Sequence, residues 1–330
     1  MTQKKGVILS GMRPTGRLHI GHLSVLENWA RLQEDYESFH MIADWHALTS
    51  DFDDTSRIDE YRRELILDYL AGGLDPDKTV IFIQSHVKAH AELTLLLGMS
   101  TPIPWLERVP TYKDQIQQFN AMGKDINTYG FLGYPLLMAA DIIIYRAGFV
   151  PVGEDQGVHL EFARELVRRF HYMYNTSIFP EPMPVYSKIP MLPGIDGRKM
   201  SKSYRNDISL SASTKEINEK VHEMVTDPAR IRKTDPGHPE VCIVNTYHKI
   251  YNEDAEPEIS EACRGGRIGC VECKKRLAAI LDNTLAPVRE RRDRYAGNVE
   301  LMTETLRLGA EKANARAEET MELVRGAMRI

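Results

Sequence analysis

Apolar residues in the first half of the chain occur in short runs that alternate with longer amphipathic segments. The short runs, which are typical of buried strands, are Val7–Ser10, Phe39–Ala43, Thr79–Ile83 and Val150–Val152. The longer segments, whose apolar residues return at helical spacing, are Leu23–Leu32, Thr55–Ala71, Tyr134–Ile144 and Gln156–Arg169. Strands that alternate with helices predict an α/β fold with a doubly wound, Rossmann-type parallel sheet.

The pattern changes after about Asn206, where strand-like runs become scarce and long polar helices take over. The clearest helices are predicted within Lys274–Tyr295, with Pro287 as an expected break, and over Val299–Met328. A chain of 330 residues is long for one core and typical of two domains. We therefore predict a Rossmann-type domain over residues 1–205 and an all-helical domain over residues 206–330.

Charge and hydropathy narrow the class of protein. The net charge of −5 argues against a surface that is basic all round, although a basic face would still suit a nucleic acid. No apolar stretch approaches the roughly 20 residues of a membrane helix. The polar start of the chain does not fit a signal peptide. We expect a cytoplasmic protein with no membrane partner.

Two histidines flank an Ile-Gly pair between the first predicted strand and the first predicted helix. This segment is His19-Ile20-Gly21-His22. A helix start presents free N–H groups, and imidazoles donate hydrogen bonds, so both suit phosphate oxygens. Gly21 removes a side chain where a ligand would lie on the backbone. The ordinary alternative is a pair of histidines that cap the helix.

A second candidate for phosphate chemistry lies about 180 residues further on, in Lys199-Met200-Ser201-Lys202-Ser203. Compact ammonium groups give strong point charges without fixing one geometry, which suits a phosphate whose charge moves during reaction. Such a loop by itself is usually solvated surface. Together with the histidine segment, it predicts a site that stabilises departing pyrophosphate.

The two segments match, residue for residue, the signature sequences of class I aminoacyl-tRNA synthetases, which this chain resembles. The resemblance implies a Rossmann-type catalytic domain that uses ATP and Mg²⁺ to form an aminoacyl-adenylate, followed by transfer to tRNA. The resemblance gives catalytic roles to His19, His22, Lys199 and Lys202. It implies that the helical domain binds the tRNA anticodon and that the protein is a homodimer, with the Tyr134–Asp141 neighbourhood near the dimer interface.

Within that class, Tyr134–Ile142, Val150–Gln156, Ser10-Gly11 and Asp44–Ala47 are similar to tryptophanyl-tRNA synthetases. Asp141 lies three positions after Met138 on the same predicted helical face. A carboxylate on an apolar face needs a partner, and an indole N–H, which only donates, is a suitable one. The family implies this role for Asp141. The alternative is a helix–helix hydrogen bond at a subunit interface.

The resemblance implies further binding positions. The positions expected to bind tryptophan are Ser10, Gly11, His46, Tyr134, Met138, Asp141, Val150, Val152 and Gln156. The positions expected to bind ATP are Arg13, Gly21, Gly153, Asp155, Lys199, Met200, Ser201 and Lys202. Plain packing is the alternative for Ser10, Gly11 and His46. Arg13 stands where many bacterial members carry glutamine, and its guanidinium would suit either an ATP phosphate or the carboxylate of the amino acid.

All four cysteines lie in the second half of the chain, at Cys242, Cys263, Cys270 and Cys273. In a cytoplasmic protein, such clustering favours a metal over disulfides. Four soft ligands suit zinc or an iron–sulfur cluster. Some tryptophanyl-tRNA synthetases hold a [4Fe-4S] cluster on a long gap followed by C-x6-C-x2-C, and this chain resembles them, although its first gap is about two residues shorter. Zinc and unliganded thiols are the alternatives.

Three other functions compete with the charging of tRNA(Trp) with L-tryptophan. A tyrosyl-tRNA synthetase usually has a second hydroxyl partner, which Asp44–His46 does not suggest. Another nucleotidyltransferase, such as a pantothenate-type ligase, lacks the long helical domain. A paralogue that only binds tRNA or tryptophan has no need of intact histidine and lysine motifs.

Overall fold

The predicted parallel sheet is present and contains five strands within the described residues. The computed structural model describes residues 4–153, 157–186 and 192–330, without the side chains of Thr111 and Ser203. The strands are β1 (Val7–Met12), β2 (Glu37–Ile42), β3 (Thr79–Ile83), β4 (Phe149–Val152) and β5 (Met183–Tyr186). The sequence did not predict β5, because its four residues include a proline and both of its ends are exposed.

The strand order is β3-β2-β1-β4-β5, with every pair parallel. β1 pairs with β2 along its whole length, and it meets β4 where Ile8 lies opposite Phe149. The order of the strands reverses between β1 and β4. Open α/β sheets bind ligands beyond the carboxyl ends of their strands at such a switch point. The chain that leaves β1 at Met12 and β4 at Val152 therefore borders the expected binding crevice.

Helices connect the strands, and further helices follow β5. Those of the first half are α1 (Leu23–Asp35), α2 (Asp44–Leu48), α3 (Ile58–Ala71), α4 (Ala89–Gly98), α5 (Ile103–Glu107), α6 (Pro110–Ala121), α7 (Tyr129–Leu132), α8 (Tyr134–Ile144) and α9 (Gly157–Tyr174). Those of the second half are α10 (Thr214–Glu223), α11 (Ile243–Tyr251), α12 (Glu256–Arg264), α13 (Cys270–Ala296) and α14 (Val299–Met328). In the described ranges, no helix is both long enough and apolar enough to cross a membrane.

The chain divides into two compact units. The sheet unit contains residues 1–16, 27–188 and 298–330, and the helical unit contains residues 17–26 and 189–297. This division does not follow the expected boundary between residues 205 and 206. The reason is that α14 belongs to the sheet unit and the histidine motif belongs to the helical unit. The assignment of anticodon binding to residues 206–330 stays a prediction.

Helix α8 runs through the core of the sheet unit. It packs between α4 and α9, and every residue from Ala139 to Ile144 is buried. A helix covered on all sides is expected to be apolar all round, which explains its near-continuous apolar sequence. Asp141 is the exception within this buried stretch, so its carboxylate must find its partners inside the protein.

The last helix, α14, covers the outer edge of the sheet at β3. An edge strand presents unpaired backbone groups, and a helix can approach them closely only through small residues. Gly309, Ala313 and Ala317 recur every four residues along α14, and all three are buried. A Cβ built on Gly309 would lie 1.8 Å from the carbonyl oxygen of Ile81. Only glycine therefore fits at this contact.

Helix α13 runs from Cys270 to Ala296 without interruption, so the predicted break at Pro287 is wrong. Proline removes one intrahelical donor and usually kinks a helix. The flanking residues Leu285 and Val288 are buried, and α13 packs against α10 and α11. Burial of the apolar face outweighs the local preference of one residue.

The contact between α14 and β3 leads to a stability prediction. We expect Gly309→Ala to lower the free energy of unfolding by about 2–4 kcal/mol, because the backbone at Ile81 must move to admit a methyl group. Gly326→Ala is a matched control in the same helix, because its Cβ would meet nothing within 4 Å. Alanine should stabilise that position by up to about 1 kcal/mol. Denaturant unfolding followed by circular dichroism measures both, and equal stabilities would contradict the close contact.

Candidate functional site

The two signature histidines are neighbours at the start of the first helix. Ile20–His22 form a 3-10 turn, preceded by His19, that runs directly into α1. The imidazole centroids of His19 and His22 lie 3.8 Å apart. The backbone N–H of His19 donates to Nδ1 of His22 at 3.3 Å. In a neutral His22 the proton is therefore on Nε2, which leaves Nε2 as a donor for a ligand oxygen.

Burial keeps both histidines neutral near pH 7. Loss of hydration, followed by the charge of Lys202, lowers the pKa of His19 to about 4. Loss of hydration, followed by the charges of His19 and Lys202, lowers the pKa of His22 to about 3. Nδ1 of His19 is buried and has no hydrogen-bond partner among the described residues, a condition that a polar ligand would relieve.

The lysine loop reaches the histidines within the helical unit. At its start, Lys199 forms an isolated antiparallel β-bridge with Pro193. Met200 is buried, and its sulfur would lie 3.8 Å from a Cβ placed on Gly21. The charge of Lys202 acts on both imidazoles, while Lys199 is exposed. Two segments that lie about 180 residues apart in the sequence therefore border one small region.

Asn206, which the sequence did not single out, fixes the shape of the lysine loop. Its side chain is buried, and its Oδ1 accepts a hydrogen bond from the N–H of Ser201 at 2.8 Å. Its Nδ2 donates to the carbonyl of Lys199 at 3.2 Å and to Asp196 at 2.8 Å. A Cβ on Gly194 would lie 2.3 Å from that nitrogen. One amide thus binds the loop through an N–H and a carbonyl on either side of Met200.

Two predicted ATP-binding residues lie in the sheet unit, beyond the ends of neighbouring strands. Arg13 follows β1 and donates to Oγ of Ser50 at 3.1 Å. Gly153 follows β4. Both positions border the switch point of the sheet. Asp155 and Gln156, predicted to bind ribose and the amino-acid end of the adenylate, lie outside the described residues.

Asp141 is held by three donors inside the sheet unit. Nε2 of His46 lies 2.8 Å from Oδ2, and Nδ1 of His90 lies 2.6 Å from Oδ1. Nε2 of Gln84 donates to both oxygens, at 2.9 and 2.8 Å. Burial pushes the pKa of Asp141 up, but His90 and His46 outweigh it and hold that pKa below its ordinary value. The carboxylate is therefore ionised at neutral pH.

Gln84 connects Asp141 to the start of α2. Its Oε1 accepts hydrogen bonds from the backbone N–H of Trp45 at 3.0 Å and of His46 at 3.4 Å. Because Oε1 faces those donors, Nε2 must face the carboxylate, and the orientation of the amide is fixed. The sequence predicted neither Gln84 nor His90, because a buried glutamine and a buried histidine carry no motif.

The other residues of α8 and β4 that are predicted to bind tryptophan border the same core. Tyr134 and Met138 are half-buried and pack against it. They precede Asp141 by seven and three residues on α8, so all three share one helical face. Val150 and Val152 share one face of β4, because side chains alternate along a strand.

Ser10 and Gly11 lie at the carboxyl end of β1. Ser10 is half-buried and stands opposite His40 of β2. A Cβ on Gly11 would lie 2.6 Å from the carbonyl oxygen of Met41. The packing of β1 against β2 therefore already requires a glycine at position 11. This contact supports the packing alternative for Gly11, whatever else binds there.

The four cysteines come together at the ends of three helices. Cys242 precedes α11, Cys263 lies in the last turn of α12, and Cys270 and Cys273 lie in the first turn of α13. Burial and the other three thiols raise the pKa of Cys273 to about 12. Arg230 donates to Sγ of Cys263 at 3.5 Å and of Cys270 at 3.9 Å. Within the described ranges, no group of three or more His, Cys, Asp or Glu side chains is arranged to hold a metal ion.

Comparison with known proteins identifies the family. The sequence profile of the family described as tRNA synthetases class I (W and Y) matches residues 1–286. A tryptophan–tRNA ligase of Thermotoga maritima is 50% identical, over 98% of this chain and 99% of that protein. One of Aquifex aeolicus is 42% identical, over 98% and 99%. The crystal structure of tryptophanyl-tRNA synthetase from Campylobacter jejuni, complexed with ADP and tryptophan, is 31% identical, covers 98% of this chain and 100% of its own, and has a TM-score of 0.86. The chain therefore belongs to the class I tRNA synthetases, and within them to the tryptophan–tRNA ligases.

Proposed function

We propose that this chain activates L-tryptophan with ATP and transfers it to tRNA(Trp). A carboxylate oxygen of tryptophan attacks the α-phosphorus; a new O–P bond forms, the bond to the β-phosphate oxygen breaks, and pyrophosphate leaves. A terminal ribose hydroxyl of tRNA then attacks the carbonyl carbon, gives up its proton, and AMP departs. The observation that carries the proposal is the meeting of His19, His22 and Lys202 at a helix start.

The protein supplies no nucleophile to either step, so its contribution is positioning and electrostatic. Negative charge builds on the departing pyrophosphate, and donors that bind it more tightly in the transition state lower the barrier. Nε2 of His22 donates without adding a charge, and Lys202 adds a compact positive one. Mg²⁺ bound to the ATP phosphates would neutralise part of the remaining charge.

Asp141 has the properties of an acceptor for the indole N–H. An ionised carboxylate offers about four acceptor positions, and Nε2 of Gln84 alone contacts both oxygens, at 2.9 and 2.8 Å. An indole N–H would take the position that this amide gives up when it donates to one oxygen only. His46 is 9% exposed, whereas Gln84 and His90 are fully buried. His46 therefore marks the side of the carboxylate closest to open space. A site built on a required hydrogen bond rejects amino acids that lack the donor.

Other functions are less well supported. The curated relatives that are 39–50% identical are tryptophan–tRNA ligases, which favours tryptophan over tyrosine as the substrate. A paralogue that only binds tRNA or tryptophan would have no use for a lysine whose charge acts on two buried imidazoles. We place the reaction in the cytoplasm, where tRNA is charged.

We also propose that the four cysteines hold a [4Fe-4S] cluster that supports tRNA binding. Four thiolates are the usual ligands of such a cluster, and the guanidinium of Arg230 lies beside two of the sulfurs, at 3.5 Å from Cys263 and 3.9 Å from Cys270. A zinc ion would draw four sulfurs to about 2.3 Å from one centre, whereas a four-iron cube keeps them further apart. Aminoacylation transfers no electrons, so the role of the cluster is structural. The basic residues that lie close to the cysteines in sequence are Arg264, Arg267, Lys274 and Lys275.

We further propose a homodimer that forms through exposed apolar residues at the end of α4 and of α9, the two helices that pack against α8 and thus against the predicted Tyr134–Asp141 neighbourhood. Met99 is 72% exposed and Tyr172 is 90% exposed. The two regions are adjacent, because Arg169 of α9 donates to the carbonyl of Ser100 at 2.8 Å. Large exposed apolar side chains that cluster in this way mark interaction sites. A second copy of the chain is the partner that the family favours.

The phosphate-handling role of His22 is tested by substitution. His22→Ala should lower kcat for tryptophan-dependent ATP–pyrophosphate exchange about 100-fold, the usual cost of one transition-state donor. The KM for tryptophan should change little, because other residues build the Asp141 pocket. His22→Asn keeps an acceptor and a donor and should lose less. Unchanged kcat in a folded Ala variant, with folding checked by thermal melting, would contradict the role.

The cluster proposal is tested by spectroscopy and by a split between the two reaction steps. Anaerobically purified protein should show visible absorption, and Cys270→Ser should remove it. The same variant should weaken tRNA charging far more than pyrophosphate exchange, because only charging needs the anticodon contact. A colourless wild-type protein that contains zinc would show that the four cysteines bind zinc instead of an iron–sulfur cluster. Equal losses in both steps would contradict a role in tRNA binding.

The dimer proposal is tested by light scattering coupled to size exclusion. Met99→Glu should shift the mass toward that of a monomer, because it places a charge in a desolvated face. Ile231→Glu is the control, because Ile231 is also exposed but lies in the helical unit. A wild-type mass of one chain, or an equal shift in both variants, would exclude this interface.

A further inference from the structure

A second row of buried hydrogen bonds continues from Asp141 into the core. Nδ1 of His90 contacts Oδ1 of Asp141 at 2.6 Å, and Nε2 of His90 contacts the hydroxyl of Tyr145 at 2.7 Å. His90 and Tyr145 are both fully buried. A hydroxyl, an imidazole and a carboxylate therefore form one line. The reaction proposed above gives neither His90 nor Tyr145 a task.

The chemistry of the three groups fixes where the protons lie. An ionised carboxylate only accepts hydrogen bonds, so Nδ1 of His90 must carry a proton. Burial, and then the charge of Asp141, raises the pKa of Tyr145 well above its ordinary value. Its hydroxyl is therefore protonated and can donate to Nε2. With Nδ1–H donating to Asp141 and Nε2 accepting from Tyr145, both nitrogens of His90 have a partner.

The sheet holds the outer end of this line in place. The ring of Tyr145 stacks on Phe39 of β2, with centroids 4.7 Å apart, and meets Phe82 of β3 edge-on at 5.4 Å. Phe82 also stacks on the ring of His90 at 6.0 Å. Rings packed at these distances keep their rotamers. The positions of the hydroxyl and the imidazole are therefore set by two core strands.

We propose that Tyr145 and His90 are positioning residues for tryptophan selection, which hold the Asp141 carboxylate in the orientation that accepts the indole N–H. The inference rests on the proposed role of Asp141. Without the Tyr145 hydroxyl, Nε2 of His90 loses its hydrogen-bond partner and becomes an unsatisfied acceptor in the core, which is costly. The imidazole can relieve this cost only by shifting from its place, and a shift lengthens the 2.6 Å contact between Nδ1 and Oδ1. The carboxylate is then held less firmly in the orientation that accepts the indole N–H.

The test compares tryptophan with benzothienylalanine, in which sulfur replaces the indole N–H. The measurement is the ratio of kcat/KM for the two amino acids in ATP–pyrophosphate exchange. In Tyr145→Phe this ratio should fall about tenfold, the order expected when a buried polar group loses its partner. The fall should come from a higher KM for tryptophan. The value for benzothienylalanine should hardly change, because it makes no such bond.

Tyr69→Phe is the matched control. Tyr69 is equally buried in the same unit, and its hydroxyl donates to the carbonyl of Met41 at 3.0 Å. It loses one buried hydrogen bond without touching the line to Asp141, so it should lower the melting temperature and leave the ratio unchanged. His90→Asn is a second variant, because its amide keeps an N–H near the position of Nδ1 and has no atom at the position of Nε2, where His90 contacts Tyr145. In that background Tyr145→Phe should no longer change the ratio.

The outcomes separate the inference from the function on which it rests. A wild-type enzyme without preference for tryptophan over benzothienylalanine removes Asp141 as the indole acceptor. A normal wild-type preference that persists in Tyr145→Phe overturns the inference alone. The same is true if Tyr69→Phe and Tyr145→Phe lower the ratio equally, because the effect is then one of stability.

Discussion

A carboxylate that has left water must be surrounded by donors, and the sheet unit is organised around one such group. Asp141 lies in the most apolar helix of the fold, yet it is ionised, because donors reach it from α2, from the turn after β3 and from α4. A buried charge that loses a partner costs the protein several kcal/mol. These three elements therefore cannot shift independently, and the packing of the core and the orientation of the Asp141 carboxylate form one constraint.

The histidine and lysine motifs of the helical unit follow the opposite rule, because the ligand proposed there brings the charge. Burial keeps His19 and His22 neutral, so in the proposed reaction they would donate hydrogen bonds to phosphate without repelling the adjacent ammonium of Lys202. Asn206 holds the backbone of the lysine loop, which means that the cost of ordering the loop is met during folding rather than during the reaction. In both units, buried polar side chains fix the orientation of the groups that are proposed to bind ligands.

The last helix of the chain supports one of the donors to Asp141, although within the described residues it makes no hydrogen bond to Asp141 itself. Helix α14 covers β3, and the approach is so close that Gly309 has no room for a side chain against Ile81. Gln84, which donates to Asp141, is the residue that follows β3. Helix α14 thus packs against the strand that ends just before the donor Gln84, although the sequence pattern predicted a separate domain for these residues.

Sequence patterns predict the parallel α/β class, four of the five strands and the two signature motifs, because apolar periodicity and short motifs are local properties of a chain. They also predict that Asp141 needs a partner, since a carboxylate within an apolar helix is costly wherever the helix lies. They do not predict which residues those partners are. Gln84, His90 and Tyr145 have ordinary neighbours in the sequence, and their roles arise from packing between distant elements. Packing between distant elements also explains why α13 is unbroken and why α14 lies against the sheet. In both cases burial of a whole helical face outweighs the preference of any single residue.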